Sequence, residues 1–334
     1  MVIGMKLLIP ANGGNAMKSK MKISKIIILI LMLTFVSLAT SGCGTQTKLP
    51  SLKLPEFGGF TPRNFEIQLN ADVSKLPKYA VVYKIAPQKI NRQTVEKLCK
   101  IFGVSSSAIS IKKDGFVEKK QNGKELYIYT NTGFYEFSTQ SMYHYSPGKI
   151  VPPKEECIKI AKSFAEKYNL LPKMYSYHID VNYITFNPSF NKSIVTDRIV
   201  TFKPVVNGRE ILGPKFGITI GNEGEIEGVS NHLYNITLLK GKYALKSIDK
   251  VITELKSNKS QQWWIKPDEP DVEKIIVNKV EMEYYGDIGT SEKLGQPFVQ
   301  PVYYLSGEVV FKNSKKGEFG VTIPAVDNRY IIGN

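Results

Sequence analysis

The stretch Val200-Thr-Phe-Lys-Pro-Val-Val-Asn-Gly-Arg-Glu-Ile-Leu-Gly-Pro214, continued by Gly217-Ile-Thr-Ile-Gly-Asn-Glu-Gly-Glu-Ile-Glu-Gly-Val229, decides how this chain is read. Asn207-Gly208 separates two runs rich in β-branched residues, and both residues tolerate the positive φ that a tight hairpin demands. Asn222-Glu223-Gly224 repeats the device after Phe216, Ile218 and Ile220, whose alternation places every second side chain on one face of a half-buried strand. The region reads as antiparallel sheet.

Working outward, an amphipathic helix is expected before each set of strands. The first covers about Arg92 to Phe102, followed by strands near 108–111, 116–120, 125–130 and 134–138, with turns at Asn122-Gly123 and Asn131-Thr132-Gly133. The second starts after Pro152-Pro153, where proline suits a first helical turn, and ends near Tyr168. The third is capped by Ser247 and carries Ile248, Val251, Ile252 and Leu255 on one side. The expected fold class is α+β: repeated units of one amphipathic helix packed on an antiparallel β-meander. The expected divisions are a signal segment 1–42, a tether 43–60 and three units at 61–150, 151–242 and 243–334.

The N-terminus has its own logic. A basic stretch with Lys18, Lys20, Lys22 and Lys25 precedes an apolar run from Ile26 to Ala39, and Ser41-Gly42 stand before Cys43. This is the layout of an export signal, with an apolar core short of the roughly 20 residues of a stable span. Initiation is expected at Met17 or Met21. The segment resembles the lipobox of bacterial lipoproteins, although Thr40 stands where leucine is commonest. That resemblance implies a diacylated Cys43 as the first mature residue, with the rest of the chain lipid-anchored on the extracytoplasmic face of the cell membrane.

The quoted run of 200–229 also resembles PepSY-type domains and the propeptides of thermolysin-like proteases. Pro301-Val-Tyr-Tyr-Leu-Ser-Gly-Glu-Val309 and Thr322-Ile-Pro-Ala-Val326 are similar to the C-terminal strands of regulatory proteins of the YycH and YycI type. Over 155–325 the resemblance implies a non-catalytic regulatory module that binds another extracytoplasmic protein, a protease or a sensor. It carries no catalytic residues to transfer.

The chain holds 45 Lys and Arg against 30 Asp and Glu, and five of the lysines precede Cys43, so the remainder stays basic. Outside the cell the anionic partners are wall polymers and lipid headgroups rather than nucleic acid, which makes an anionic polymer or small ligand the alternative partner. His144, His178 and His232 are too far apart in sequence for a short metal-ligand motif, and no nucleophile elbow, Walker loop or dinucleotide fingerprint occurs. No catalytic residue, metal or cofactor is expected; an unrecognised hydrolase would require two of the histidines to meet acids in a cleft. Glu223, Glu225 and Glu227 read as a solvated strand face. Trp263 and Trp264 are candidates for binding, since neighbouring residues in a strand face opposite ways and one indole is then exposed. Tyr127, Tyr129, Tyr135, Tyr143 and Tyr145 read as sheet-lining residues before ligand contacts. Cys99 and Cys157 leave two readings open, a disulfide or buried free thiols on the inner faces of two helices, with the thiols favoured.

Overall fold

A computed structural model describes residues 47–51, 62, 64–86, 88–107, 109–113, 115–189, 192–256, 261–267, 269, 271–286, 289 and 296–332. The signal segment 1–42 and Cys43 lie outside the described residues. In chain order the elements are β1 (Glu66–Leu69), β2 (Tyr79–Ala80), β3 (Tyr83–Ala86), α1 (Arg92–Phe102), β4 (Phe116–Gln121), β5 (Lys124–Tyr129), β6 (Phe134–Thr139), α2 (Lys154–Tyr168), β7 (Ser176–Ser189), β8 (Lys192–Val206), β9 (Arg209–Leu212), β10 (Phe216–Ile220) and β11 (Ile226–Asn231). They continue as β12 (Asn235–Leu238), β13 (Tyr243–Ala244), α3 (Ile248–Leu255), β14 (Gln262–Lys266), β15 (Val272–Gly286), β16 (Phe298–Phe311) and β17 (Lys316–Pro324).

Local chemistry explains the helices. The Asn91 side chain accepts from the Thr94 amide and Gly103, at φ 63°, closes α1 by donating to the last carbonyls, while Val95, Leu98, Cys99 and Phe102 form its buried stripe. The α2 helix follows Pro153 and ends at Asn169 in the left-handed conformation, with Cys157, Ala161 and Ala165 buried. Ser247 caps α3 by accepting from Lys250, and Val251 and Leu255 face the core.

The assembly overturns the expected α+β repeat of separate helix-on-meander units. Strands make up 48% of the described residues, and fifteen of the described strands form one mixed sheet. After α1 the meander β4-β5-β6 does not end in a free edge: β6 pairs antiparallel with β11, so the order runs β4-β5-β6-β11-β10-β8-β7. Helices α1 and α2 therefore lie on a single sheet face and share one apolar cluster, with Phe102 stacked on Phe137 at 4.6 Å. The physical reason is edge satisfaction. A meander leaves a row of unpaired N–H and C=O groups on its last strand, and the edge of the next set of strands satisfies them.

The second half is organised by the long strands β15 and β16, in the order β14-β17-β16-β15-β1, with α3 packed on its own apolar cluster. The early strands β1 and β3 join this half, β1 parallel to β15 and β3 antiparallel to β16. The two halves meet where β9, a hairpin extension of β8, runs parallel to β15 through Ile211 and Leu212. That seam needs glycine: Gly213 has φ +108° and an added Cβ would stand 2.2 Å from the Gly286 carbonyl oxygen. Part of the expected tether is also held, because Leu49 is fully buried with Val82, Tyr243 and Val326 and bridges to Ile331.

Candidate functional site

The two faces of the first sheet differ because its strands alternate. Val200, Phe202, Phe216, Ile218, Val229, Tyr135 and Phe137 point to the helices. The residues between them, among them Thr201, Gly217, Thr219, Gly228, Ser230, Glu136 and Ser138, point to the other face, which is helix-free among the described residues. There they floor a groove of about 360 Å³, bounded by Tyr127, Lys215, Met142 and Tyr143. A second cleft of about 680 Å³ opens around the β4-β5 turn, between Lys120, Lys124, Gln140 and His144. Met142 and Ser138 line both, so the Met142 side chain is the wall between them.

Met142 belongs to a strap, Ser141 to Ile150, that connects β6 to the start of α2 and crosses the helix-free face. Its hold is ionic. The Lys149 ammonium lies 3.2 Å from Asp197 Oδ1 and 3.0 Å from Glu227 Oε2, all three side chains being at most 5% exposed. The same ammonium donates to the strap's own Ser141 and His144 carbonyls at 3.4 and 3.5 Å. Burial pushes the Glu227 carboxyl above the usual carboxylate range against the pull of Lys149 and the Asn222 amide, and a hydrogen bond shared with Asp197 raises it further. Glu227 thus departs from the expected solvated strand face: the irregularity between Thr219 and Ile220 in the β10-β11 pairing leaves it at 1% exposure, facing Lys149.

The other sequence candidates are dispersed. Trp263 is core, packed edge-on against Phe65 and close to Phe319, and donates to Gln261. Trp264 is 41% exposed on the opposite face of the second half, lying over Gly320 and donating to Tyr304 at 3.2 Å. Cys99 and Cys157 are free, buried thiols, which corrects the disulfide alternative. Each points from its helix into the shared core, and the Cys157 thiol donates to the Pro152 carbonyl. Burial raises both thiols, leaving them poor nucleophiles.

The histidines each meet acids in separate places. His178 lies 3.2 Å from Glu210 and 3.4 Å from Asp180, on an exposed cluster completed by Lys203. His232 contacts Glu136 at 3.3 Å beside the groove and holds that carboxylate below its usual range. Among the described residues, no group of three or more His, Cys, Asp or Glu side chains is arranged to hold a metal ion. Of the tyrosines, Tyr135 is buried under Phe102, Tyr127 faces the groove with its hydroxyl on Glu125, and Tyr143 and Tyr145 are exposed on the strap. Tyr145 stacks on Phe186 of β7 at 4.8 Å.

Sequence reading missed the strap site. Its three charges come from positions far apart in sequence, Asp197 and Glu227 lying 48 and 78 residues from Lys149, and no local motif joins them.

Neither a family model nor a curated protein matches the chain. One solved structure, of an uncharacterized protein from Eubacterium rectale, is similar over 79% of this chain and 90% of its own, with 12% identity and a TM-score of 0.41.

Proposed function

We propose that this chain is a lipid-anchored binding protein of the extracytoplasmic membrane face, without catalysis of its own, that recognises another extracytoplasmic protein through the helix-free face of its first sheet. One observation carries the reading. That sheet is sealed on one side by two helices, and the other side keeps a groove floored by Gly217, Gly228, Thr201 and Ser230. Small residues on a sheet face let a foreign backbone approach closely, and Tyr127 and Tyr143 at the rim offer apolar surface with a polar tip. The anchor reading rests on the residues around Cys43.

The test is capture from native membranes by the full lipidated chain, with bound proteins and glycans identified by mass spectrometry. Ser230→Arg fills the groove, and Trp264→Ala alters a distant exposed aromatic. Capture of one extracytoplasmic protein, lost in Ser230→Arg and kept in Trp264→Ala, supports the reading. Capture unaffected by Ser230→Arg removes this face from the account, and capture of wall polymer alone, abolished by salt, replaces the protein partner with an anionic polymer. In parallel, Cys43→Ala is expected to abolish incorporation of a labelled fatty acid.

A further inference from the structure

We propose that the strap from Ser141 to Ile150 is a latched gate over the groove, and that its release joins the two clefts into one continuous trough along the helix-free face. The inference rests on that face being the binding face. Met142 is seated so closely on the sheet that a Cβ built at Gly228 would stand 2.3 Å from its sulfur, so glycine there makes room for the wall. Thr219, paired with Gly228, is 6% exposed although no helix among the described residues covers that side.

The way the strap is held distinguishes a gate from a permanent cover. Tyr143 through Gly148 are exposed, so little apolar area holds the segment down. Among the described residues its attachments are few and polar: the Lys149 ammonium between Asp197 and Glu227, the Ile150 amide donating to Asn222 Oδ1, and the Glu223 amide donating to the Ile150 carbonyl. The Tyr145 ring on Phe186 and the Met142 side chain add two apolar contacts. Segments fixed by a few bonds open at lower free energy than the core they cover. Lys149 also binds carbonyls of its own strap, so its withdrawal undoes the fold of the segment and its attachment together.

A Thr219→Cys reporter in the full chain tests this, with maleimide labelling at fixed pH mapped by mass spectrometry. Cys99 and Cys157, buried beneath the helices, report opening of the core in the same molecules. Adding Lys149→Met is expected to speed labelling of the introduced thiol on the order of a hundredfold, as losing the cation of a buried ion cluster implies, with Cys99 and Cys157 unchanged. Equal rates with and without Lys149→Met, or acceleration of all three thiols together, would overturn the gate. Should Lys149→Met fail to fold, Met142→Ala removes the wall and keeps the latch: faster labelling of the introduced thiol alone supports the proposal and an unchanged rate contradicts it. Failure here leaves the capture experiment to judge the binding face independently.

Discussion

The two sides of the first sheet are covered by different means, and the contrast explains what each can do. On one side Phe102, Leu98, Cys99, Cys157, Ala161 and Ala165 seal the sheet with apolar side chains. Each fully buried large side chain there contributes roughly 1.5–3 kcal/mol, independently of pH. On the other side the cover is a strap held by three buried charges, where each partner is needed to offset the desolvation of the others. An apolar cover is permanent. An ionic one can be released by changing a single charge.

The largest effect that sharpens the comparison is on the apolar side. Phe102→Ala removes a ring packed on Phe137, Tyr135 and Phe164 and is expected to cost about 3–5 kcal/mol of global stability in urea unfolding, by the same amount at acid and neutral pH. Lys149→Met acts on the other side. It is expected to remove up to about 3–5 kcal/mol of the free energy protecting the strap, read as hydrogen exchange of the Ile150 and Glu223 amides, while amides of α1 keep their protection. No loss of protection at these amides, or an equal loss in α1, would erase the distinction.

The exposed charge cluster supplies the weakest test. Lys203 binds Asp180 at 2.6 Å and Glu210 at 3.4 Å, a pattern like that of Lys149 but open to water. Lys203→Met is expected to change unfolding free energy by less than about 1 kcal/mol, and by still less in high salt. Similar bonds at different depths are worth different amounts.

What could be read in advance follows the range of the interactions. Asn122-Gly123 and Asn207-Gly208 form turns with both residues at positive φ, and Asn91, Gly103 and Ser247 bound their helices, because turns and caps are decided within a few residues. The pairing of β6 with β11 and of β9 with β15 joins segments far apart in sequence, and nothing in Phe134 to Thr139 announces its partner edge. The same limit hid the site. Glu227 sits in the alternation Glu223, Glu225, Glu227 that reads as a wet strand, and only the fold brings Lys149 and Asp197 to it. Trp263-Trp264 was legible as a pair facing opposite ways, and the structure separates a core indole from an exposed one.

The most direct measurement is hydrogen exchange across a pH series, corrected for intrinsic rates, comparing the Ile150 and Glu223 amides with those of α1. Among the described residues, Lys149 of the strap, Asp197 of β8 and Glu227 of β11 are the ionisable groups that meet there; His144 contributes its carbonyl, and Arg198 turns away to the Pro152 carbonyl. The Glu227 carboxyl is raised by burial. Its contribution to closure is therefore complete below the ordinary carboxylate value of 4.5 and fades as pH climbs through the raised one. The account predicts that strap protection falls over that rise while α1 stays constant; protection that is flat with pH, or that falls in both places together, would contradict it.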